Sequence, residues 1–248
     1  MIAGADGQSQ SCYTSFMRPV LALLICLFPS LALGCDRAVC IVDPADLHFG
    51  RTITFEDQPG NFGPGLPVDG VLALPGASFG EMFAGQSLDT TTDFDLISGP
   101  ALGPLTVLPG VAGQNLSILK VTGARLLSGT GPRGFPMTIA TGEGAIAVWF
   151  AADQSTLRLD LLGGEGGVAH ILFLARDGSL IDQIDLTPLA EGPVAFARNA
   201  PVADIAGLVI SNHDPEGIAL DAVAFDGGEQ TSQADTAPNS SAGLSGSG

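Results

Sequence analysis

Hydrophobic and polar positions alternate along this chain in short bursts, each ended within a few residues by Gly or Pro. Residues 156–161 show the pattern most cleanly. Leu157, Leu159 and Leu161 share one face while Arg158 and Asp160 take the other, the two-residue period of a half-buried strand. Residues 51–55 alternate likewise, with Ile53 and Phe55 on one side. Leu116–Val121, residues 145–150, residues 205–210 and Ile218–Phe225 are further strand candidates. Val168–Leu174 and Leu180–Leu186 flank Arg176-Asp177-Gly178-Ser179. Asp-Gly between two apolar runs predicts a tight hairpin, because the central residues of a two-residue turn must tolerate positive φ. No window long enough for a helix keeps a 3.6-residue period without a Gly or Pro inside it. The pattern predicts an all-β fold, a single β-sandwich of jelly-roll type.

One run is longer than a strand. Residues 20–33 form an apolar run that follows Met17-Arg18 and ends in Ala32-Leu33-Gly34 before Cys35. A basic start, an apolar centre of about 7–15 residues and a small-x-small end are the marks of a secretory signal. We expect residues 1–34 to be a cleaved signal peptide, with Met17 as the physical start. A membrane span needs about 20 apolar residues, and Pro29 interrupts this run. The protein is therefore expected in the periplasm or outside the cell, without a membrane span after cleavage.

The rest of the chain divides into residues 35–50, an N-terminal segment; 51–226, the sandwich; and 227–248, a tail of Gly, Ser, Thr, Ala and Gln. Such a tail buries too little surface to offset its ordering entropy and is expected to be disordered. Residues 61–75 and 100–113, rich in Gly and Pro, read as surface loops. Export also bears on the cysteines. Cys12 and Cys26 leave with the leader, and Cys35 and Cys40 form a close pair that an oxidising compartment would join as a disulfide. The alternative is a lipoprotein anchored at Cys35, although Ala32 stands where a leucine-type residue would be expected.

Charge narrows the partners. The formal net charge is −17, from 26 acidic and 9 basic residues, and Lys120 is the only lysine. A surface of that sign repels phosphate backbones and anionic membranes, which argues against nucleic-acid binding.

Three stretches together carry a family likeness: Ile53-Thr54-Phe55-Glu56-Asp57 at the start, the Asp177-Gly178 hairpin, and Gly217-Ile218-Ala219-Leu220-Asp221-Ala222-Val223-Ala224-Phe225 at the end. The chain resembles the jelly-roll, galactose-binding-like domains of bacterial exported proteins that often carry a PEP-CTERM sorting tail. Ala222 stands where the closing pattern of that group has a second acidic residue, and no sorting tail follows Asp226. The resemblance implies a non-catalytic, secreted binding or matrix-type domain. It also implies that the first and last strands lie side by side and share a structural Ca2+, which would draw on Glu56, Asp57 and Asp221. The other reading of those carboxylates is as solvated strand ends.

Other candidates come from the residues alone. Asn212-His213-Asp214 precedes Pro215 and reads as a turn, able to serve as a polar ligand-binding loop. His48 and His170 have no Ser, Cys or acidic partner assignable by spacing, so no catalytic residue is named. Residues 129–134 spell G-x-G-x-x-G, but Pro132 lies inside and no helix follows, which removes the dinucleotide reading. Trp149, in Val148-Trp149-Phe150, reads as buried, leaving little aromatic surface for stacking on sugars. A glycan or extracellular matrix component remains the expected partner. The competing class is a carbohydrate-active hydrolase or lyase using two carboxylates, which nothing in the sequence pairs.

Overall fold

The computed structural model describes residues 35–226, so the expected leader and tail lie outside the described residues. In chain order the strands begin with β1 (Val39–Val42), β2 (Arg51–Thr54), β3 (Leu66–Val68), β4 (Leu72–Leu74), β5 (Ala77–Gly80) and β6 (Met82–Phe83). Then come β7 (Ser87–Asp89), β8 (Leu96–Ser98), β9 (Val107–Leu108), β10 (Leu116–Val121), β11 (Ala124–Gly129) and β12 (Ile146–Gln154). The last six are β13 (Thr156–Gly163), β14 (Val168–Leu174), β15 (Leu180–Leu186), β16 (Gly192–Arg198), β17 (Ile205–His213) and β18 (Ile218–Phe225).

Two antiparallel sheets form the sandwich. An eight-stranded sheet runs β1-β16-β13-β18-β11-β10-β3, with β2 also paired to β18. A six-stranded sheet runs β15-β14-β17-β12-β5-β4. The adjacency implied by the family likeness is present: β2 lies against β18, with Thr54 opposite Ala222. In β13 the three leucines are buried and Arg158 and Asp160 face outward, as the alternation requires.

Phenylalanine holds the sheets together. Phe55 meets Phe79, Phe150 meets Phe225 and Phe173 meets Phe196, with ring centroids 5.4, 5.1 and 5.1 Å apart. Phe150–Phe225 and Phe173–Phe196 each take one ring from each sheet, and Phe55, which directly follows β2, meets Phe79 of β5, so three tilted or edge-on contacts span the core. Such pairs add about 0.5–1.5 kcal/mol each beyond their buried area.

Some expectations are corrected. The Asp177-Gly178 hairpin exists, but it closes as a wider loop. Ala175 N–H donates to Ser179 C=O and Gly178 N–H to Ala175 C=O, both at 2.9 Å. Only the glycine needs the left-handed position, at φ 85°, and the Asp177 carboxylate instead accepts from the Ser179 N–H. Residues 61–75 are not one loop, because β3 and β4 lie within them, and β9 lies within 100–113. Cys35 and Cys40 form the expected disulfide.

The six-stranded sheet has apolar residues on both faces. Ile146, Val148, Ile171, Phe173, Leu208 and Ile210 point into the sandwich. The intervening Ala147, Leu172, Leu174 and Val209 belong to a second core with Phe83, Ile97 and Leu105. Those last three come from residues 81–110, which leave β5 and lie across the outer face. Gly207 makes the contact close: a Cβ there would stand 2.6 Å from Cζ of Phe83.

Candidate functional site

The covering segment meets the sheet at a group of carboxyls. Glu81 follows β5, Asp95 precedes β8, and Glu143 precedes β12. They are 4%, 2% and 7% exposed. Asp95 N–H donates to the Glu143 carbonyl at 3.0 Å and Glu81 N–H to the Leu108 carbonyl at 3.0 Å. Burial pushes the Glu81 carboxyl up to about 7. Burial and the charge of Glu81 do the same for Asp95, also to about 7, against the opposing hydrogen bond from Ala145 N–H. Glu143 is raised as well, by burial, with Arg133 acting in the other direction. Oδ2 of Asp95 and Oε2 of Glu143 have no hydrogen-bond partner. Sequence reasoning missed this group. The signal available was an acid set within apolar or small residues, as in Phe94-Asp95-Leu96-Ile97 and Gly142-Glu143-Gly144-Ala145.

A second cluster lies beside it on the same outer face. His170 of β14 accepts or donates through Nδ1 to Asp185 of β15 at 2.8 Å, and that hydrogen bond holds the Asp185 carboxyl below its usual range. The His170 and His213 rings meet edge to face at 5.7 Å, and His213 meets Phe94 at 5.2 Å. The result is a row of Asp185, His170, His213 and Phe94, polar at one end and aromatic at the other. Asp185 and His213 are exposed, while His170 and Phe94 are half-buried.

Of the predicted ligand triplet, only His213 belongs to that row. Asn212 and His213 are strand residues of β17, not turn residues. Asn212 points inward and donates to the Gly142 carbonyl at 2.7 Å. Asp214 is fully buried, and its carboxylate accepts from the N–H groups of Gly167 and Glu216. β17 runs longer than its apolar run and takes in Asn212 and His213, while Asp214 opens the turn that follows.

The calcium candidates are placed differently from one another. Glu56 Oε1 accepts from the Arg125 N–H at 2.9 Å. Asp57 borders a surface depression with Arg51, Thr52 and Leu74. Asp221 borders another with Arg158, Asp160 and Glu191. Among the described residues, no three His, Cys, Asp or Glu side chains are grouped to hold a metal ion. Trp149, expected to be buried, is half-buried against the second core, with the Arg176 guanidinium 5.1 Å from its ring centroid.

No protein-family model matches the chain, and no curated protein matches it. Among solved structures it is similar to CBM28, a carbohydrate-binding module specific for non-crystalline cellulose. That alignment covers 45% of this chain and 78% of the module, at 14% identity and a TM-score of 0.25. A likeness this loose carries no argument about function.

Proposed function

We propose that this protein is an exported, non-catalytic β-sandwich that binds a hydroxyl-rich ligand, of the glycan class, on the outer face of its six-stranded sheet. The observation that supports this reading is the row of Asp185, His170, His213 and Phe94, in which Asp185 and His213 are exposed. A carboxylate and two imidazoles supply hydrogen bonds to hydroxyls, and the Phe94 ring supplies an apolar face beside them. None of the four belongs to the main core between the sheets. The competing hydrolytic reading draws on the paired carboxyls of Glu81 and Asp95, since raised carboxyl pKa values are what general acids need. Their burial under the covering segment leaves a substrate no contact with them, so we assign them no catalytic role.

A glycan array probed with the full chain, with and without calcium, tests the proposal. We expect binding to at least one glycan class and a loss of about tenfold or more in H213A and D185N, as for a hydrogen bond worth roughly 1.4 kcal/mol. Silence across the array, or binding unchanged in both variants, overturns it and favours a purely structural role.

A further inference from the structure

We propose that Glu81, Asp95 and Glu143 form a proton-dependent latch that holds residues 81–110 down on the six-stranded sheet and releases them when its carboxyls ionise. This inference does not rest on the ligand reading, although Phe94 of the row lies on the covering segment next to Asp95.

The geometry places the three carboxyls where the segment is fastened. Glu81 is its first residue. Asp95 lies midway and bonds through its N–H to the Glu143 carbonyl on the sheet side. The far end returns to the same point: a Cβ at Gly110 would stand 2.7 Å from Oε1 of Glu81, so the backbone there rests directly on that carboxyl. Met82 pairs with Leu108 and Phe83 with Val107 in the β6–β9 ribbon that closes the base of the segment. A charge change at Glu81 and Asp95 is therefore felt at the start, middle and end of one layer.

The charged and titratable groups around the cluster do not neutralise it. On the segment itself Asp93 forms a two-point ion pair with Arg133. Arg133 acts on Glu143 but is committed to Asp93. From β17, His213 meets the ring of Phe94, the residue before Asp95. The unpartnered oxygens of Asp95 and Glu143 are the second sign that the buried group is balanced for protons and not for ions, because an unpaired buried carboxylate costs far more than a neutral carboxyl.

The sign follows from the folded values. Glu81 and Asp95 are raised from 4.5 and 3.8 to about 7. Their contribution to holding the segment is complete below the unfolded values and is lost as pH rises through about 7. Below that point both carboxyls are neutral. Above it two like charges share a buried site.

Amide hydrogen exchange of the full chain between pH 5.5 and 8.5 tests the latch, with protection corrected for intrinsic exchange. The informative amides are those of Ala84, Asp95 and Leu102, bonded to Thr106, Glu143 and Ala84 carbonyls. We expect their protection to fall about tenfold or more over this range. The E81Q/D95N double variant should keep the low-pH protection at pH 8.5, and H213Q should leave the wild-type fall intact. If the double variant does not fold, either single substitution must shrink the fall by at least half. Wild-type protection constant to within about twofold, or a fall that survives both carboxamide substitutions, overturns the proposal.

Discussion

Replacing Phe83 with alanine tests whether residues 81–110 are a packed layer or a loose cover. The ring is fully buried in the second core. It sits on Gly207, the cross-strand partner of Trp149. Removing a buried phenylalanine costs about 3–5 kcal/mol, the transfer term plus the cavity left behind. For a domain of this size each kcal/mol moves Tm by roughly 2–4 °C, so a fall of about 6–20 °C is expected if the layer unfolds with the sandwich. Trp149 is the only tryptophan in the chain and packs against the same cluster, which makes its fluorescence a local reporter. Thermal melts followed by far-UV circular dichroism and by Trp149 emission, with acrylamide quenching at 25 °C, read both effects. We expect F83A to lower the transition and to raise quenching of Trp149 well above wild type. A Tm change under about 2 °C with unaltered quenching would show that the ring contributes little and that the second core is no true core.

Other substitutions probe the rest of the frame. G207A forces a Cβ to within 2.6 Å of the Phe83 ring and should cost about 1–3 kcal/mol as overpacking, read as a lower urea midpoint at unchanged m-value. Asp226 is desolvated but held below the usual carboxylate range by hydrogen bonds from the Ser155 and Thr156 hydroxyls and amides. Its contribution is present above its unfolded value and lost as pH falls through the folded one, so D226N should lower stability by about 1–3 kcal/mol at pH 7 and much less near pH 3. The Cys35–Cys40 bridge spans a sequence separation of 5, and loop entropy makes a closure this short worth about 2 kcal/mol. C35S/C40S should therefore lose a few degrees of Tm while remaining folded, and a collapse of the fold would contradict a staple confined to one end. Calcium and chelator should leave Tm unchanged, because Glu56 is engaged by Arg125 and Asp57 and Asp221 border different depressions; a calcium-induced rise of several degrees would restore those carboxylates as a site.

How far the sequence could be read depended on how each strand is buried. β13 has one face in the core and one in solvent, so Leu157, Leu159 and Leu161 announced themselves by alternation. The hairpin of β14 and β15 was legible from its Asp-Gly turn. The short strands β3 and β4 were hidden inside a Gly- and Pro-rich stretch, because three residues are too few to show a period. Asn212 and His213 were misplaced for a related reason. Polar residues at the end of an apolar run look like a turn, whereas here β17 continues and spends Asn212 on the Gly142 carbonyl.

The carboxyl group was illegible for a deeper reason, which also explains why β12, β14 and β17 read as continuous apolar runs. A strand buried on both faces loses its alternation, and these three are covered on one side by the sandwich core and on the other by residues 81–110. Sequence alternation reports a face open to water, so its absence in residues 146–150, 171–174 and 205–210 was itself the trace of a third layer. Glu81, Asp95 and Glu143 are buried where that layer meets the sheet, whereas Asp89 and Asp93 on the same segment are exposed. Glu81, Asp95 and Glu143 each adjoin one of the strands of the covered sheet or of the cover. The apolar run at 146–150 follows Glu143, an isolated acid among small residues, and that pairing was the mark the sequence carried of a buried carboxyl at the rim of a covered sheet face.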